Sequence, residues 1–316
     1  MKILNYLVLS FCLLFAFSVV SAQEAVSLDE NVTAEDLGVS ESTMLPDNPF
    51  YFFKNLGRAI QSVITLDPVK KAELREKFAN EKLIELKKMT EKTRDSEVIK
   101  KATENYQKEV ANVEKITERI RETAQENTRV GQFLDKFIQQ QTLHQTILQK
   151  LETRVPEKAL EKIQEARQDH LEKFGQVMTR LENKEKIQER LETNLQQVQG
   201  SEFKNFKNLE MLQALEEKAP QAIKEAVQQV RVNVMTQLKE KVQGMTAEKL
   251  GEFQTYTENV SGLKEKQMEI LDNLKTELQD QPQIIQKLIQ TKERIIEQVQ
   301  ERTKMTPQLN PGNKQE

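Results

Sequence analysis

Two histidines, one cysteine and 50 Asp and Glu side chains are the obvious reactive groups of this 316-residue chain, and their spacing decides what chemistry they could do. A nucleophile triad needs a Ser or Cys beside a base. Neither His144 nor His170 lies in a recognisable Ser or Asp motif, and Cys12 sits in an apolar N-terminal run. There is no G-x-x-x-x-G-K-S/T phosphate loop, no G-x-G-x-x-G turn and no H-E-x-x-H zinc helix. The carboxylates are interleaved with Lys and Arg, a pattern that gives solvated helix faces and i,i+4 ion pairs rather than acid–base dyads. The expectation is a non-enzymatic chain with no catalytic residue, no cofactor and no dedicated metal site. The histidines keep one sharper reading. Both fall on apolar stripes, 12 residues before and 14 after Pro156, so an antiparallel turn there brings them close. The plain expectation is a pair of seam histidines capped by glutamine or backbone; the alternative is a pH- or metal-sensitive pinch at His144 and His170.

The elements that must hold these groups are helices. Only 9 Gly and 8 Pro occur, 31% of residues are charged, and hydrophobic residues reach 37% with no Trp. That is too few turn-formers for a sheet protein and too little apolar surface for a thick core. The expected fold class is all-α, with extended antiparallel hairpins of long, coiled-coil-like helices behind an N-terminal signal peptide and with disordered termini. The 47 basic and 50 acidic residues give a net charge of -3 with the signs interleaved, so nucleic acid is not an expected partner.

Residues 1–22 read as a signal peptide: Lys2, an apolar run from Ile3 to Val20, then Val20-Ser21-Ala22 as a cleavage site. Cleavage after Ala22 removes the only cysteine. An uncleaved signal anchor is the alternative, because the run approaches the length of a short membrane span. The expected location is the periplasm, cell surface or exterior. Residues 23–53 hold seven acids and no Lys or Arg, and 23–43 read as an acidic, disordered linker.

Asn48 before Pro49 predicts an N-cap with proline at the first helical position. The helix that follows, Pro49 to Leu66, has two apolar stripes side by side, and Phe50, Phe52, Phe53, Leu56 and Ile60 are its candidate docking residues. Its first reading is a plug packed onto the helices that follow. The functional readings are a partner-docking helix and a membrane-surface foot, with Lys54 and Arg58 making a weak basic face.

The run Leu45-Pro46-Asp47-Asn48-Pro49-Phe50-Tyr51-Phe52-Phe53-Lys54, then Leu56-Gly57-Arg58-Ala59-Ile60 and Asp67-Pro68-Val69-Lys70-Lys71-Ala72-Glu73-Leu74, resembles an exported prokaryotic family, the domain of unknown function DUF5667, over roughly residues 44–140. Asn48 stands where Ser is expected and Phe53 where Leu is usual. The resemblance implies an exported helical domain and no activity to carry over.

Asp67 and Pro68 predict the next helix start, and a long helix is expected from Ser96 to about Val155 with a kink near Gly131. Pro156, Pro220 and Pro282 stand 64 and 62 residues apart, each ahead of a similar helical start, which suggests a weak internal repeat over 141–304. A helix from about Glu157 to Gln199 is expected to run unbroken, and 305–316 reads as a disordered tail. The functional expectation is an exported, non-enzymatic helical binding or scaffold protein of the prokaryotic cell envelope. Its partner would be another protein or a second copy, with membrane contact through the uncleaved signal or the Pro49–Leu66 helix. A chaperone-like holdase is the alternative, and an envelope hydrolase a residual one.

Overall fold

Short polar side chains and prolines set most of the helix starts. The computed structural model describes residues 20–41, 44–121 and 128–305, and among these there is helix and turn but no strand. Helix α1 covers 20–30. It is followed by α2 (Tyr51–Ile64), α3 (Pro68–Lys92), α4 (Ser96–Arg121), α5 (Thr128–Glu152), α6 (Glu157–Leu181) and α7 (Lys184–Gln197). Then come α8 (Lys204–Lys218), α9 (Gln221–Gln243), α10 (Ala247–Asn259), α11 (Lys264–Glu277) and α12 (Pro282–Met305). Asp67 Oδ1 accepts from the Lys70 N–H at 2.9 Å with Pro68 at the first position, as its sequence demands. Pro156 and Pro220 stand just ahead of α6 and α9, and Pro282 is the first residue of α12. Asn48 acts earlier than expected: its Oδ1 accepts from the Phe50 N–H at 2.8 Å, so Pro49 and Phe50 belong to a turn and α2 starts at Tyr51.

Of the described residues, those from 25 to 237 form one compact unit, and 238–305 with 20–24 form another. In the first, α3 packs along α4 and α5, α6 lies against α4 and α5, α7 on α5 and α8 on α6. Leu83, Leu86, Tyr106, Leu148 and Ile163 are fully buried at its heart. Gly175 of α6 is required by close approach: a Cβ there would meet Pro220 Cδ at 2.9 Å and Ala219 Cα at 3.1 Å, where the chain turns from α8 into α9. In the second unit α12 packs on α10 and α11, with Phe253, Tyr256, Leu274 and Ile295 buried.

The structure corrects four expectations. Residues 23–41 are not a solvated linker. Val32, Ala34, Leu37 and Val39 enter the core, and the segment is tied down by its own polar groups. Asp29 accepts from the Ser201 hydroxyl at 2.7 Å, the Leu37 carbonyl accepts from Asn80 Nδ2 at 2.9 Å, and the Val32 carbonyl accepts from Lys87 Nζ at 2.7 Å. Apolar residues spaced two to three apart between acids were enough to bury one side of a turn, while the acids stayed at its surface or found partners. Gly38, at φ +65°, takes the left-handed step this turn needs.

The two long helices are broken. The stretch from Ser96 onward is divided into α4 and α5, which lie against the same two helices, α3 and α6; residues 122–127 between them lie outside the described residues. The 157–199 stretch breaks at Glu182 and Asn183, both in extended backbone, and α7 folds onto α5, burying Ile187, Leu191 and Leu195. An unbroken helix would leave that second stripe in water.

At two of the three proposed repeat starts one ion pair recurs at the same offset. Glu152 accepts from Arg167 at 2.5 Å and Glu216 from Arg231 at 2.8 Å; each pair spans 15 residues, and the second lies 64 residues after the first. At the third start the phase slips by one. Ile284 and Leu288 are buried, whereas Ile285 is only half-buried and Ile289 is exposed. Most of the predicted signal segment, residues 1–19, and the tail from 306 lie outside the described residues. Among the described residues no helix is long and apolar enough to cross a membrane. The fourth correction concerns α2.

Candidate functional site

Helix α2 is mounted with its polar half inward. Successive residues advance 100° around a helix, which places Tyr51, Lys54, Asn55, Arg58 and Ser62 on one half-cylinder. Phe52, Phe53, Leu56, Ala59, Ile60, Val63 and Ile64 fall on the other. Tyr51, Arg58 and Ser62 are the buried residues of the helix. The receiving surface on α3 is charged: Glu85, with its side chain 1% exposed, accepts from Tyr51 Oη, from Lys54 Nζ at 2.7 Å and from Arg58 Nη2 at 2.9 Å. Glu81 takes the same guanidinium, and Lys82 donates to Tyr51 Oη with its ammonium 4.5 Å from the ring centre. Burial acts to raise the Glu85 pKa, but Lys82, Lys54, Tyr51 and Arg58 more than offset it and hold the carboxyl below its ordinary value. Burial also lowers the Lys82 ammonium to about 8, and it raises the Tyr51 hydroxyl well above its ordinary value with help from Glu85.

The apolar half is consequently turned to solvent. Phe50 is 60% exposed, Phe52 58%, Phe53 56%, Leu56 52% and Ile60 54%, so all five predicted docking residues lie together on one open face. Val63, Ile64 and Leu66 extend it and are more exposed still. A Cβ at Gly57 would meet nothing within 4 Å. The plug expectation is overturned, because the face that was to be packed is the one left uncovered. Eight side chains of this size, each more than half exposed, present on the order of 800 Å² of apolar surface, where an ordinary monomer shows one patch of about 300–600 Å². The sequence signal for this mounting was the stripe Tyr51, Lys54, Arg58 and Ser62 at helical steps opposite the aromatics. The partners Glu81, Lys82 and Glu85 had no signal of their own.

The two histidines do come together at the α5–α6 hairpin. Both are fully buried, with ring centres 5.3 Å apart. His144 Nε2 donates to Asn80 Oδ1 at 2.6 Å, and its Nδ1 accepts from Tyr106 Oη at 3.1 Å; Gln145 Nε2 donates to His170 Nδ1. The expected glutamine cap is found at His170 alone; His144 is held by an asparagine and a tyrosine instead. Burial lowers both imidazoles, His170 to about 3 and His144 well below its ordinary value, with the charge of Lys173 adding to the effect at His170 and that of His170 at His144. The nitrogen lone pairs are committed to Tyr106 and Gln145, and among the described residues no group of three His, Cys, Asp or Glu side chains could hold a metal ion. Nearby Glu76 is wholly buried, accepts from Gln141 Nε2 at 2.5 Å, and is pushed up by burial to about 8, so it is protonated at neutral pH. A third feature is a polar cleft of about 850 Å³ beside α1 and α5, lined by residues such as Lys136, Gln140 and Lys207.

No curated protein and no solved structure matches this chain. The family match, which begins at residue 43 and ends at 310, covers both the aromatic N-terminal helices and the region of repeated hairpins that the sequence reading kept apart. Because that match spans most of its length, the chain belongs to the family described as a domain of unknown function, DUF5667.

Proposed function

We propose that this protein is an exported, non-enzymatic helical scaffold of the prokaryotic cell envelope that works by protein association through the apolar face of α2. The observation that carries the reading is the inverted mounting of that helix. An amphipathic helix left to collapse buries its apolar side, and here Glu85, Glu81 and Lys82 hold it the other way round by charge-assisted hydrogen bonds. The fold thereby keeps an uncovered hydrophobic surface at an energetic disadvantage for the free monomer, which association removes. The residues behind α2 act as the rigid body that presents it.

Phe50→Asp combined with Phe53→Asp tests this. Both side chains are solvent-facing, so the double variant keeps its helical content and melting temperature, and association with the envelope or with its partner is lost. Retention of that association by a folded double variant removes the reading. The holdase alternative rests on loose seams able to cradle clients, and the α3–α6 seams are closed by fully buried Leu83, Leu148 and Ile163. Its remaining support is the same α2 face, and suppression of aggregation that survives the double variant would revive it.

A further inference from the structure

We infer that the occupant of the α2 face is a second copy of this chain, joined across a two-fold axis. The inference rests on α2 being an association surface and adds what it associates with. Three observations select a second copy. The centre of the exposed half reads Phe53, Leu56, Ile60 and Val63 at steps of 3, 4 and 3, the spacing that seats one helix along another. Phe52 and Ala59 flank this seam on one side, with Gly57 and Ile64 on the other, so the face is free of charge from edge to edge. The patch, on the order of 800 Å² on each copy, equals what one partner contributes to an ordinary specific interface. A C2 contact uses the same patch twice and closes without leaving apolar surface to propagate.

Charge separates this occupant from a lipid surface. Helices that lie on membranes set Lys and Arg at the rim of the apolar face to meet headgroups. The two cations of α2, Lys54 and Arg58, are turned inward onto Glu85 and Glu81, and the exposed half carries no charge. The chain leading into α2 is acidic, with Glu41 and Asp47 neutralised by Lys88 and Lys92 of α3. A neutral, dry seam between two like helices satisfies this surface; an anionic bilayer does not.

The test uses the full-length chain recovered from its host in whatever processed form it takes there. Light scattering at micromolar concentration should give twice the protomer mass, and the exposed substitutions Leu56→Asp with Ile60→Asp should halve it without moving the melting temperature. A wild-type monomer overturns the pairing. A photo-crosslinking amino acid at position 53, activated in the host, separates the two levels of the argument. A product of two copies supports the pairing. A product with a different protein overturns it while leaving α2 as an association surface, and a lipid product or no product overturns both.

Discussion

Helices α2 and α6 carry the same kind of amphipathic pattern and bury opposite sides of it. In α6 the apolar stripe of Ala159, Ile163, Ala166, Leu171, Phe174 and Met178 is buried, and the charged residues apart from Arg167, which is buried against Glu152, are exposed or half-exposed. In α2 the residues buried are Tyr51, Arg58 and Ser62, and eight large apolar side chains at and beside the helix look outward. The difference lies in what each helix meets. Helix α6 meets apolar surfaces of α4, α5 and α8, whereas α2 meets a charged surface of α3 built from Glu81, Lys82 and Glu85. A periodic pattern fixes the line that divides a helix into two faces. Which face is turned inward depends on the neighbour, and a buried carboxylate with three donors can outweigh the transfer free energy of an apolar stripe.

The comparison breaks most visibly at the aromatic residues. Phe174→Ala should destabilise the fold by about 4 kcal/mol, because Phe174 is 1% exposed and its ring packs edge-on to Phe137. Phe52→Ala on α2 should stay within about 0.5 kcal/mol, as an exposed position does. Chemical denaturation of the two variants side by side measures the contrast.

Glu85→Ala comes next. It leaves Arg58 and Lys82 buried without their shared carboxylate, an expected loss of about 3 kcal/mol that falls on α2. Backbone amides of Tyr51–Ile64 should then exchange with solvent faster while those of α6 do not, and equal acceleration in both helices would mean that the charged mount is not local.

The smallest effect is on pH and sharpens the contrast from the side of the buried hairpin. His144 and His170 stay neutral in the folded state, but the unfolded chain takes up protons below about pH 6.5, so stability falls as pH drops from there toward about 3. Glu76 acts in the opposite sense: it keeps its proton up to about pH 8 when folded, while the unfolded chain releases it above about 4.5, so its contribution is fully present below that pH and is lost as pH rises. Between these limits the two terms oppose each other. Glu76→Gln should therefore stabilise the protein at neutral pH and uncover the histidine slope, about 1 kcal/mol per imidazole lost by roughly pH 5.5. A melting temperature of this variant that is flat across mild acid would show that the imidazoles titrate in the folded state.

Much of this was legible in the residues. Asp67-Pro68 and the prolines at 156, 220 and 282 marked helix starts because capping chemistry is local and needs only the next three or four residues. The meeting of His144 and His170 followed from their distances to Pro156, and the single apolar half of α2 from its 3- and 4-residue steps. Their partners were not legible. Asn80 and Tyr106 reach His144 from 64 and 38 residues away, and Glu85 reaches Tyr51 from 34. The turn after α1 was not legible because six acids in residues 23–43 mask four scattered apolar residues, while the cavity these fill is formed by α3 and α5.

Composition and periodicity by themselves determined that the chain is helical, where most helices begin, that α5 and α6 fold back on each other, and that α2 has one apolar half. These are consequences of backbone hydrogen bonding and side-chain spacing within a few turns. Only tertiary structure decided where the long helical stretches are divided, the burial of the acidic segment, and the outward orientation of the α2 aromatics. Each depends on charges and cavities that distant segments bring together, and the free energy of burying a group is set by the neighbour it meets.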